Sequence, residues 1–221
     1  METSNDIILG YWPSRSLSGT LRSLLAYCGI NYKEKIYTDA NEWFDKDKIE
    51  FKTDFPNLPY LKEGSKIVTE SNAILQYIPL RAGRKELLGD TDDKFIQVQI
   101  ALGAVGDLWT GLAGLCWTKG NFAAEKEEQF TKGSIKAQLT HFNNVLKDKE
   151  WICGFISVAD FKFFEAVELV HDIDASLLEA YPNLSAFYKR FIELPKIKEF
   201  RGTSLFKKIW FTPGMATWTN A

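Results

Sequence analysis

The chain has 221 residues, 45% of them hydrophobic, with 27 Lys and Arg against 29 Asp and Glu and a formal net charge of −2. That is the make-up of a folded protein with one large domain or two small ones. A charge so near balance argues against nucleic-acid binding through a broad basic surface. Three cysteines (Cys28, Cys116, Cys153) without C-x-x-C spacing and two histidines (His141, His171) speak against a zinc site or a disulfide framework. The polar opening Met-Glu-Thr-Ser-Asn-Asp is not a secretory signal, and no apolar run approaches the ~18 residues of a membrane span. The expectation is a cytoplasmic protein, in which the Asn183-Leu184-Ser185 sequon is a chance match. The aromatic share, 14%, reads either as core packing or as a pocket for flat apolar ligands.

In chain order, Ile7 to Trp12 is a short apolar run stopped by Pro13, and predicts a buried strand. Leu17, Leu21, Leu24, Leu25 and Cys28 recur at helical spacing, with Gly29 as the stop. Tyr32 to Tyr37 alternates as a peripheral strand, and a polar helix is expected over Glu42 to Lys52. Tyr60-Leu61 and Ile67-Val68 flank a five-residue hairpin loop, Lys62 to Lys66, before a helix over Ser71 to Leu80. The order β-α-β-α-β-β-α predicts a right-handed crossover between the parallel strands. A charged linker follows over Arg81 to Asp92. Beyond it only helices are expected, over Asp93 to Trp117, Ala124 to Lys147, Val158 to Val170 and Leu184 to Glu193. The third is apolar except at Asp160, Lys162, Glu165 and Glu168, which marks a central core helix. Strands first and helices after predict two domains or two layers of one unit.

Four places carry candidate chemistry. Tyr11 ends the first strand, at the sheet edge where ligands bind in open α/β folds. It reads either as a phenol donating to a developing anion or as a core aromatic beside Trp12. Phe55-Pro56-Asn57-Leu58-Pro59-Tyr60 holds a candidate cis bond at Leu58-Pro59, serving either an extended ligand or simply a rigid loop. Thr69-Glu70-Ser71-Asn72 opens a helix with two N-cap residue types, and reads as a carboxylate seat or as plain capping. Ser157-Val158-Ala159-Asp160 is a capping box, with Asp in the Glu/Gln place. The cysteines read as core filler, and Lys33, Lys35, Lys207 and Lys208 as solvated faces.

Taken together, Ile8-Leu9-Gly10-Tyr11-Trp12, Asp54 to Leu61, Ser71 to Leu75, Ser157 to Phe161, Ala180 to Leu184 and the tail Met215 to Trp218 resemble the cytosolic glutathione transferases, most of all their mu class. The resemblance implies an α/β thioredoxin-like N-terminal domain over residues 1–82, a linker over 83–92, and an all-α C-terminal domain over 93–221. It implies a detoxifying transferase that adds the thiolate of glutathione to apolar electrophiles, with glutathione as co-substrate and no cofactor or metal. Tyr11 would donate to the glutathione sulfur. Trp12, Trp43, Lys48, Asn57, Leu58, Glu70 and Ser71 would line the glutathione site, with Lys46 competing for the role of Lys48. Asp107 would reach the γ-glutamyl amine in the neighbouring subunit of a homodimer, and Phe55 would plug into the partner. Leu17, Trp117, Phe211 and Thr212 would hold the electrophile. The chain departs from the mu pattern in a shorter Thr38 to Trp43 segment, in Ala40 where an arginine is usual, in Glu70 for glutamine, and in Trp117 for tyrosine. The resemblance leaves room for a glutathione-dependent isomerase or synthase, for a non-catalytic binder of apolar ligands, and for a structural module. Nucleic acid and membrane are not expected partners.

Overall fold

The computed structural model describes residues 6–212 and 214–220. Four strands, β1 Ile7–Tyr11, β2 Lys33–Ile36, β3 Tyr60–Glu63 and β4 Lys66–Thr69, form one mixed sheet in the order β2-β1-β3-β4. β1 runs parallel to β2 and antiparallel to β3, and β3 is antiparallel to β4. Burial follows from this order. Central β1 is apolar along its whole length, whereas edge β2 carries Lys33, Glu34 and Lys35. Gly10 sits in β1 because the Tyr60 ring lies on its backbone, where a Cβ would come within 2.2 Å of Tyr60 Cζ.

The expected five-residue hairpin loop is a two-residue turn. Glu63 pairs with Lys66, and Gly64, at φ 58°, and Ser65 make the connection. Charged Glu63 and Lys66 fit strand positions because Lys66 is exposed and Glu63 is paired with Arg81 at 2.8 Å. The expected polar helix is a π turn over Glu42–Asp47 followed by a single α turn, α2 Lys48–Glu50.

Helices α1 Ser16–Tyr27 and α3 Ser71–Arg81 pack together and join the sheet to the helical part. The segment expected as a linker holds a 3₁₀ turn, Lys85–Leu88, that buries Leu87 and Leu88. Six helices follow: α4 Asp92–Cys116, α5 Phe122–Thr131, α6 Ser134–Val145, α7 Val158–Ile173, α8 Pro182–Ile192 and α9 Pro195–Arg201. The single helix expected over Ala124 to Lys147 is two, because Gly133 is extended there (φ −82°, ψ −174°) and opens α6. α9 and a 3₁₀ turn at Ala175–Ala180 have no counterpart among the expected elements.

α7 is the central helix, with Phe161, Phe163, Phe164, Val167 and Val170 fully buried and α1, α4 and α8 packed around it. Its start is held by the expected capping box. Asp160 Oδ2 accepts from the Ser157 backbone N–H at 2.8 Å, and Oδ1 accepts from the Ile152 N–H at 2.9 Å. Burial pushes the Asp160 carboxyl up to about 6, against the pull of those donors. α4 is long and apolar enough by composition to cross a membrane, which corrects the expectation that no such run exists. Its buried face packs on α6 and α7 as a core helix does, while Ile96 and Ile100 are exposed.

Where α1 meets α7 the contact is ionic and dry. Arg15, 2% exposed, donates through Nε to Glu165 Oε2 at 2.6 Å and through Nη2 to Glu165 Oε1 at 2.9 Å. Its Nη2 also bonds Glu168, which accepts in turn from Arg201 Nη1 at 2.5 Å. The guanidinium lies 4.2 Å from the Trp210 ring centroid, so the C-terminal tail closes over it. Gly19 permits this approach, since a Cβ there would stand 2.3 Å from Glu165 Oε2.

Candidate functional site

The end of β1 and the loop after it organise the site. Tyr11 is buried in a second aromatic cluster with Tyr37, Trp43, Leu58 and Tyr60. The loop is fastened from two sides. Arg15 N–H and Ser16 N–H donate to the carbonyls of Ile209 and Trp210 at 2.8 and 3.1 Å, and Arg22 Nη1 donates to the Ser14 carbonyl at 2.8 Å. Ser16 then enters α1 with φ 28°, a value that costs a non-glycine residue energy. The turn brings the Ser16 hydroxyl and the Leu17 N–H to the Tyr11 phenol. Burial raises the Tyr11 pKa above its ordinary value, and those two donors and Arg22 only partly offset it. The phenol therefore stays protonated, a donor at neutral pH.

Ser16 and Leu17, which meet the phenol, also border a narrow cleft open to solvent. Ser16, Leu17 and Thr20 of α1, Ser71 and Asn72 of α3, Trp109 of α4 and Lys162 of α7 line it. α3 begins at Ser71, and neither Thr69 nor Ser71 caps it by a side-chain bond. The cap position is Glu70, at φ 67°. The Glu70 carboxylate instead accepts from Asn57 Nδ2 at 3.0 Å, while Asn57 Oδ1 accepts from the Leu58 N–H at 2.9 Å. The Leu58-Pro59 bond is cis, as its sequence setting predicts.

The remaining predicted residues fall into three groups. Trp12 packs on Tyr37 and Phe44, with centroids at 6.2 and 6.1 Å, and Lys48 Nζ lies 5.4 Å from the Phe44 ring. Lys48 thus shares an aromatic patch with Trp12. Trp43 is only 2% exposed, stacked on Tyr60 and edge-on to Tyr37 and Phe51, so its ring supports this wall from beneath. Trp117, 45% exposed, meets Phe211 edge-on at 5.9 Å; neither they nor Thr212 line the cleft that holds Leu17. Asp107 and Phe55 are both exposed, Phe55 at 74%. Lys207, expected on a solvated face, pairs with Glu34 at 2.8 Å.

Two models of one family match the chain, Glutathione S-transferase, N-terminal domain, over residues 8–79 and Glutathione S-transferase, C-terminal domain, over residues 106–204. It is 33% identical to human Glutathione S-transferase Mu 3 over 228 aligned positions, covering all of this chain and 98% of that protein. Mouse Glutathione S-transferase Mu 6 is 37% identical, with 97% of this chain and 99% of that protein covered. The chain belongs to the glutathione S-transferase family. Its two-part architecture, a thioredoxin-like layer followed by an all-helical one, is the family's.

In this glutathione transferase the sequence reading missed Thr20, Asn72, Trp109 and Lys162 at the cleft. One signal was available: Lys162 is one of the four charges on the Val158 to Val170 part of α7. Asp160 caps the helix, and Glu165 and Glu168 answer Arg15. Lys162 has no such account. Among the described residues, no group of three His, Cys, Asp or Glu is arranged to hold a metal.

Proposed function

We propose that the chain adds the glutathione thiolate to apolar electrophiles, with the Tyr11 hydroxyl donating a hydrogen bond to the sulfur. The observation that carries this reading is the protonated, buried phenol beside the cleft at the end of β1. A thiol of pKa near ~8.5 is only a few per cent ionised at pH 7. A fixed donor stabilises the anion over the thiol, at ~1.36 kcal/mol for each unit of depression.

Residues 1–82 would bind glutathione, and 93–221 would supply most of the electrophile site, with 83–92 between them. Ser71 and Glu70 at the start of α3 would receive the γ-glutamyl group, and Leu58 the cysteinyl backbone. Since the Leu58 N–H is held by Asn57, that pairing requires the Asn57 side chain to turn toward the ligand. Trp12, Lys48 and, from beneath, Trp43 would border the glycyl end. Leu17 would face the electrophile, with Trp117, Phe211 and Thr212 at the outer rim. Exposed Phe55, Ile96 and Ile100 support a homodimer in which these apolar side chains are covered, and the enzyme would work in the cytoplasm. Asp107 of the partner subunit would then complete the γ-glutamyl site.

The test is turnover of 1-chloro-2,4-dinitrobenzene by wild type and Tyr11→Phe, with glutathione affinity measured alongside. The variant is expected to bind glutathione as wild type does and to lose more than about tenfold in kcat. Full rate at neutral pH would overturn the role of Tyr11 and turn attention to Ser14 or Ser16. Glutathione binding without turnover in wild type would favour an isomerase or a ligand carrier.

A further inference from the structure

Lys162 is the one charged residue lining the cleft, and its surroundings are those of a cation kept for a ligand. It projects from α7, the most buried helix of the molecule. Its ammonium carries three N–H donors. The acceptor it meets among the described residues is Asn72 Oδ1, at 3.1 Å, and no carboxylate lies within ion-pair distance. Burial lowers its pKa, and no charge offsets that effect. Gly106 of α4 brings no side chain over it, though a Cβ there would stand 3.6 Å from Nζ. Leu17, Leu21, Leu75 and Trp109 make the rest of the cleft chiefly apolar.

A half-buried cation without a counter-charge is costly to hold unless something pays for it. One helical turn away the same helix compensates Arg15 with two carboxylates. α7 is thus able to present acids to this junction, and at Lys162 it presents the opposite charge, bare.

We propose that Lys162 is a specificity residue that receives an anionic group, a carboxylate above all, on the electrophile. The ring or chain of that substrate would lie on Leu17 and Trp109, its acid on Lys162 and Asn72, and its reactive carbon toward the sulfur beside Tyr11. This rests on the transferase reading and narrows it from apolar electrophiles to flat apolar ones bearing an acid. Charge-assisted bonds in a partly dry cleft are strong enough to select between two otherwise equal substrates.

The test compares 4-chloro-3,5-dinitrobenzoate with its neutral counterpart, 1-chloro-2,6-dinitrobenzene, at saturating glutathione, in wild type, Lys162→Met and Lys162→Arg. The expected result is that the ratio of kcat/KM, acid over neutral, falls by about tenfold in Lys162→Met and is largely restored in Lys162→Arg. An unchanged ratio would overturn the proposal. So would a parallel fall for both substrates with a raised KM for glutathione, which would assign Lys162 to the tripeptide. Calorimetric binding of the unreactive pair 3,5-dinitrobenzoate and 1,3-dinitrobenzene keeps the two readings apart. If wild type turns over neither electrophile, the transferase reading fails. Lys162 is still supported where the benzoate binds wild type about tenfold more tightly than Lys162→Met, and rejected where it does not.

Discussion

Arg15 and Lys162 stand at the same junction between the sheet layer and the helical layer, and the protein treats them in opposite ways. Arg15 is enclosed by Glu165, Glu168, Phe206 and Trp210, with every element around it supplying charge or a ring face. Lys162 faces a cleft and a single amide oxygen. The difference separates a structural ion network from a charge held in readiness. A buried pair adds little net stability yet is expensive to break, whereas an uncompensated cation costs stability by being there.

The comparison breaks most sharply at Arg15. Arg15→Ala leaves Glu165 and Glu168 buried with only Arg201 to answer them, and should lower the unfolding free energy by about 3–5 kcal/mol in urea titrations. The loop carrying Ser16 and Leu17 should loosen with it, since Arg15 fastens that loop to the tail. A loss under about 1 kcal/mol would mean that the network is not intact in solution.

A second buried acid on α7 gives a pH test. The Asp160 carboxyl is raised from 3.8 to about 6 in the folded state. The folded chain therefore binds the proton more tightly than the unfolded one between those values. The contribution of this group to stability is greatest below pH 4 and is lost as pH rises through 6. Against the non-titrating Asp160→Asn, the wild type should lose about 2 kcal/mol of relative stability between pH 4 and pH 7. A flat difference across that range would place the proton elsewhere. The smallest effect belongs to Lys162. Lys162→Met should leave stability unchanged or raise it by about 1 kcal/mol, because it removes an unpaired charge from a largely apolar wall. A clear loss would show that the ammonium has a structural counter-charge after all.

Much of this was legible along the chain because the signals are local. Tyr11 ends an apolar run before Pro13, Pro56 and Pro59 mark the loop that holds the cis bond, and Ser157 and Asp160 lie three residues apart on the helix they cap. Motif register carried the family, since several short segments fall in order over nearly the whole length. Local reading failed where burial or backbone geometry was needed. The Tyr60 ring under Gly10 and the positive φ of Glu70 have no sequence signature, and neither does the Asn57 amide on the Leu58 N–H. Trp43 shows the same limit, since an indole at a site and an indole beneath it look alike in sequence.

What the sequence by itself determined was a strand-and-helix layer followed by a helical one, a tyrosine at the sheet edge, and the family. These depend on periodicity and on neighbours a few residues apart. What only the tertiary structure decided was the fate of the charges between Val158 and Val170 on α7. Asp160 was readable as a cap because its partner Ser157 is near. Glu165 and Glu168 acquire meaning from Arg15, about 150 positions earlier, and Lys162 from Asn72, 90 positions earlier. Charge is written in the sequence, but whether it is answered depends on which distant segments the fold brings within hydrogen-bond reach.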